Sequence, residues 1–135
     1  MSVSRPCAYA SAAALAVGGY VHFDLYRHAY QSIPRVGLMF AANVVISAGV
    51  AVALIVRRDL ISASAALLLA VATLGSFAVS RTVGLLGFTE TGLRPSPQAT
   101  ITIVAEAAAA AALTWGVRHA RRPSLERPPG SAPST

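Results

Sequence analysis

Two uninterrupted apolar runs, Val36–Val56 and Leu60–Val79, flank a break of only three residues, Arg57-Arg58-Asp59. Each run matches the roughly 20 helical residues needed to cross a ~30 Å hydrocarbon core. A break that short can only reverse one helix against the next, and its charges hold the turn at a polar surface. Two further stretches have similar length: Pro6–Phe23, rich in Ala, Gly and Val, and Ala99–Val117, which stops at Arg118. A soluble domain of 135 residues, 55% hydrophobic and 12% charged, lacks the polar side chains to cover its own surface. One cysteine excludes a disulfide scaffold, and the apolar content excludes disorder for most of the chain.

The expected architecture is an all-α integral membrane bundle of four transmembrane helices, up-down-up-down, with spans near 6–23, 36–56, 60–79 and 99–117. Residues 1–122 would form this domain, and the Pro- and Ser-rich segment 123–135 a disordered cytoplasmic tail. The first stretch resembles a cleaved signal peptide only weakly, because its core is not Leu-rich and no cleavage site precedes His22.

All eleven basic residues are arginine and the net charge is +6. Arg5, Arg57, Arg58, Arg118, Arg121, Arg122 and Arg127 fall on one side of the expected bundle; Arg27, Arg35, Arg81 and Arg94 fall on the other. The larger group is expected in the cytoplasm together with both termini, the membrane being read as a bacterial plasma membrane. These arginines punctuate apolar runs instead of forming a patch with aromatics, so no nucleic-acid partner is expected. Tyr9 and Trp115 are read as inner interfacial anchors, and Tyr20, Phe23, Tyr26 and Tyr30 as outer ones. Helix packing should use small residues: Ser11, Ala14 and Gly18; Ser47 and Ala51; Ser62, Ala66 and Ala70; and the alanines from 105 to 112.

No phosphate loop, CxxC, HExxH or serine elbow is present, so the expected activity is non-enzymatic. Glu106 is the sharpest candidate, a carboxylate about 10 Å inside the last span at 1.5 Å per residue. Asn43 enters the second span from the same side to a similar depth, with Thr73, Ser76 and Thr102 near that level. Two readings are open: a neutral Glu106 hydrogen-bonded to Asn43 or to a carbonyl of a facing helix, or a proton relay or ligand site. His22, Asp24, Arg27 and His28 crowd the outer end of the first helix. His22 continues the Ser11–Ala14–Gly18 face and should point into the bundle, whereas Asp24 and His28 share another face. They form either an interfacial collar or a metal or haem site, although no cofactor is favoured. Arg81, Glu90 and Arg94 belong to the longest connection, where Arg81 could neutralise Glu106, pair with Glu90 or reach lipid phosphates.

The string His22…Tyr30-Gln-Ser-Ile33-Pro34, the segment Ser80-Arg81-Thr82-Val83-Gly84-Leu85 with Phe88 and Glu90, and Glu106 together resemble a loose group of small four-span actinobacterial membrane proteins. The resemblance covers about residues 20 to 112 and implies the four-span topology and the interest of these polar residues, with no activity to carry over. Small multidrug-resistance transporters share the span count but carry their essential carboxylate in the first span, where this chain has none at mid-depth. The expected function is thus binding of a partner or small ligand through an outer-facing polar cavity. Proton-coupled transport through Glu106, or a redox role for His22 or His28, are the alternatives. Besides the lipid bilayer, a homo-oligomer or another membrane protein is the expected partner.

Overall fold

The computed structural model describes residues 2–120, in which four long helices follow one another: α1 (Arg5–Leu25), α2 (Pro34–Val56), α3 (Leu60–Thr82) and α4 (Gln98–Ala120). The expected tail at 123–135, together with Arg121 and Arg122, lies outside the described residues. No strand occurs among them, only two isolated bridges at Ser2–Asp59 and Leu85–Phe88. α2, α3 and α4 are each long and apolar enough to cross a membrane. α1, at 21 residues, is long enough but falls short of that apolarity, because Ser11, Gly18, Gly19, His22 and Asp24 interrupt it.

The outer surface carries the membrane signature most plainly. Leu38, Val45, Val56, Ile61 and Leu68 each leave between 70% and 72% of their surface uncovered. So large an apolar face is untenable in water and ordinary against lipid.

Local chemistry sets each helix end. Ile33 is extended, as the residue before a proline should be, and Pro34 opens α2, where its missing N–H costs nothing. Asp59 caps α3 by accepting the Ser62 backbone N–H at 2.8 Å, while Arg57 Nη2 lies 2.8 Å from its carboxylate. The turn needs a left-handed residue, supplied by Arg58 at φ 51°. The Val3 N–H, donating to the Arg58 carbonyl at 2.8 Å, ties the chain's first residues to it. The Ser62 backbone N–H foremost, helped by the Ser62 and Arg57 side chains, holds the Asp59 carboxyl below its ordinary value.

At this turn end, Leu15, Leu54 and Leu113 are fully buried among Ala8, Ala63, Ala66 and Ala109. Small faces let backbones approach: the Ser11 hydroxyl donates to the Ala109 carbonyl at 3.3 Å. A Cβ added to Gly116 would stand 2.9 Å from Cys7 and from Val3. Of the small residues expected at helix contacts, Ser11, Gly18, Ser47, Ala51, Ser62, Ala66, Ala70, Ala105 and Ala109 are buried.

The opposite, loop end is built differently. α1 ends in a π-helical turn, Tyr26–Tyr30, closed by the Gln31 N–H donating to the Tyr26 carbonyl at 3.0 Å. One extra residue in the turn rotates the side chains beyond it about the helix axis. Tyr30 thereby leaves the expected interfacial belt and enters the interior at 5% exposure, stacked on Phe40 at 4.5 Å and edge-on to Phe88 at 5.7 Å. Gly37 permits this crossing, since a Cβ there would lie 2.6 Å from the Tyr30 carbonyl. Tyr20 and Phe23, by contrast, are exposed as expected, as are Tyr9 and Trp115 at the other end.

Candidate functional site

The α3–α4 connection is a cap over the loop end, not a slack strap. The Glu90 N–H donates to the Ser80 carbonyl at 3.0 Å, and Leu85 and Phe88 exchange backbone hydrogen bonds at 2.8 and 2.9 Å. The two residues between them, Leu86 at φ 53° and Gly87 at φ 83°, form a left-handed pair of the type I′ kind. Phe88 and Leu85 turn inward, while Leu86 stays half exposed at the tip.

Beneath this cap, Arg81 and Glu90 form an ion pair at 2.6 Å, with side chains only 15% and 17% exposed. Arg81 also donates to the Ser80 hydroxyl at 2.6 Å, to the Gly92 carbonyl at 3.1 Å and to the Arg94 carbonyl, and lies 3.8 Å over the Phe77 ring. The Tyr30 hydroxyl donates to the second Glu90 oxygen. Burial first, and then that bond to Glu90, pushes the Tyr30 phenol well above its ordinary value. Of the three fates open to Arg81, the structure selects Glu90. All three of its guanidinium nitrogens are engaged there, and it does not neutralise Glu106.

Below the ion pair lies a cavity of about 320 Å³. α2 and α3 form most of its wall, with His22, Tyr30, Leu85, Phe88, Glu90 and Thr102 contributed from elsewhere. These two helices pack against one another less than α1 packs against α2 or α4, so they part toward the loop end. Ala42, Ile46 and Ala72 are exposed and also line the cavity, which therefore opens sideways between α2 and α3. Its polar floor is Asn43, whose amide donates to the Thr73 hydroxyl at 2.9 Å and whose carbonyl accepts from Ser47 at 3.1 Å.

That arrangement corrects the expected partnership of Asn43 with Glu106. Asn43 is already satisfied by α3 and by its own helix. Glu106 is wholly buried, and neither carboxyl oxygen has a hydrogen-bond partner among the described residues. No carbonyl of a facing helix accepts from it either. Instead Oε1 rests against Gly18, where a Cβ would approach to 2.7 Å. One turn on, His22 donates from Nδ1 to the Gly18 carbonyl at 2.8 Å, which leaves Nε2 as an acceptor on a ring 5.1 Å from Phe40.

Asp24 and His28 meet each other at 3.1 Å on an exposed face, apart from His22. No group of three His, Cys, Asp or Glu side chains suited to a metal ion occurs among the described residues. Two participants were not read from the sequence as part of the site. Tyr30 needed the π turn to reach it. Gln98 carries a buried, unpartnered Oε1 and lies four and eight residues before Thr102 and Glu106, a spacing that places it on their face.

No protein-family model, curated protein or solved structure matches the chain. Its helices define it only as far as a helical membrane protein; the site must speak for the rest.

Proposed function

We propose that this is a bacterial plasma-membrane protein of four transmembrane helices, up-down-up-down, with both termini cytoplasmic, that binds a small, mainly apolar ligand carrying a hydrogen-bonding group. The cavity of about 320 Å³, with its side opening between α2 and α3, carries this reading. Its walls are mostly aliphatic and aromatic, while Asn43, His22 and Thr73 supply a few directional polar groups, the usual composition of a ligand site. A sideways opening on the lipid-facing surface suits a solute that partitions into the bilayer first.

The fourth span is α1. At 1.5 Å per residue its 21 residues reach about 31 Å, enough for the hydrocarbon core. Its polar positions Ser11, Gly18 and Gly19 are buried against α4 and α2, so lipid does not meet them. The arginine distribution supports cytoplasmic termini. A reporter active only outside the cytoplasm, fused after Arg122, should stay silent; strong signal there removes a span or reverses the orientation.

The binding test uses a small environment-sensitive aromatic fluorophore and the full chain in detergent. Saturable binding to wild type, abolished by filling the cavity with Ser76→Trp, is the expected result. Equal binding to both proteins would refute the cavity as the ligand site.

A further inference from the structure

We infer that Glu106 is a proton-binding site of the bundle interior, reached from the loop end along the Gln98–Thr102 face of α4 and the cavity that Thr102 shares with His22. Desolvation decides the resting form. An ionised carboxylate with no donor and no cation is far too costly in an apolar interior, so the buried group is held as the acid. Among the described residues no unpaired charge is at hand to change that. At this level α1 brings His22, α2 brings the neutral Asn43 and Ser47, and α3 brings Thr73 with Arg81 above, already paired to Glu90.

The route is set by α4 itself. Gln98, Thr102 and Glu106 repeat every four residues, about 6 Å of rise per step, so they form one line from the end of the helix inward. Gln98 Oε1 and Thr102 Oγ1 are buried without partners, like the carboxyl below them. Their unused lone pairs can take hydrogen bonds from water or from a passing proton. Thr102 also lines the cavity, together with His22. In the opposite direction the path is closed: Ala109 and Leu113 are buried on the same helix, and Ser11 binds the Ala109 carbonyl. Access is therefore one-sided.

In the release step the Glu106 O–H bond breaks and the proton passes to cavity water or, through it, to His22 Nε2, leaving the carboxylate; uptake reverses both changes. Gly18 makes room for this group, because any side chain there would collide with Oε1. The proton route shares the cavity of the proposed ligand site, but Glu106 is not among the residues lining that cavity, so its protonation is read separately from ligand binding.

The experiment is infrared spectroscopy of the full chain in lipid, labelled with ¹³C-carboxyl glutamate. At neutral pH a protonated carboxyl band should appear that is missing in Glu106→Gln, and it should shift on transfer to D₂O. In Thr102→Val that shift should slow by about tenfold or more, the effect of roughly 1.4 kcal/mol on a barrier. An ionised Glu106 at neutral pH, a band that never shifts in D₂O, or equal rates in wild type and Thr102→Val would overturn the inference. Should Glu106→Gln fail to fold, Glu90→Gln and Glu126→Gln in labelled protein assign the band by elimination, since a band that survives in both belongs to the remaining glutamate, Glu106.

Discussion

At the turn end, three fully buried leucines and a bed of alanines close the space between helices, and among the described residues no buried side-chain polar atom lacks a partner. At the loop end, the same helices enclose a cavity, a buried ion pair and a line of polar atoms without partners. The two regions share helices and lipid, so hydrophobicity cannot account for the difference. Side-chain size does: alanine and serine bring α1 against α4 at one end, whereas Phe40, Tyr30 and Phe88 prop the other apart and leave room below. Between helices in lipid, where no hydrophobic drive operates, packing density is the stabilising term. The turn end should thus carry stability and the loop end function.

Core truncation gives the largest test. Leu54→Ala should cost roughly 3 kcal/mol, and Met39→Ala, which enlarges an existing cavity, less than about 1 kcal/mol. Unfolding of both variants in mixed micelles measures the gap; comparable losses would erase the distinction between the two regions.

The ion pair sharpens the comparison from the polar side. Glu90→Gln strands Arg81 and removes the carboxylate that accepts from Tyr30, at a cost of roughly 2 kcal/mol. Proteolysis of the 82–97 connection should accelerate in this variant while the α2–α3 turn keeps its protection. Uniform acceleration would mean that the cap and the turn open together.

The smallest expected effect concerns Asp59. Its carboxyl lies below its ordinary value in the fold, so its stabilising contribution is complete above the unfolded value near 4 and disappears as pH falls through the lower folded one. Acid unfolding of wild type should show a slight extra loss below about pH 4 that Asp59→Ala lacks. An identical acid profile would show that the cap does not couple to folding.

Much of the fold is legible in the chain alone. The runs 36–56 and 60–79 fall inside α2 and α3, and charge and proline mark where those helices turn. The buried small residues keep a 3.6-residue period that the eye can find. Glu106 announces itself by its cost. Its surroundings are harder, because interhelical hydrogen bonds depend on how each helix is rotated. Asn43 and Glu106 share a depth, yet Asn43 points at Thr73 and Glu106 at Gly18. Tyr30 escapes the sequence for a related reason: a π turn adds a residue without any change in composition, so an α-helical count cannot see it.

The order of synthesis gives α1 a further meaning. It is the least lipophilic of the four helices, and its principal neighbours are α2 and α4. α2 follows it directly from the ribosome, but α4 comes last. Until then the Gly18 and Ser11 face has no counterpart, and the helix has little reason to leave the insertion machinery for lipid. On the four-span reading, α1 meets its second principal neighbour only once α4 is made, and a chain truncated before residue 98 should insert α1 less completely than the full chain.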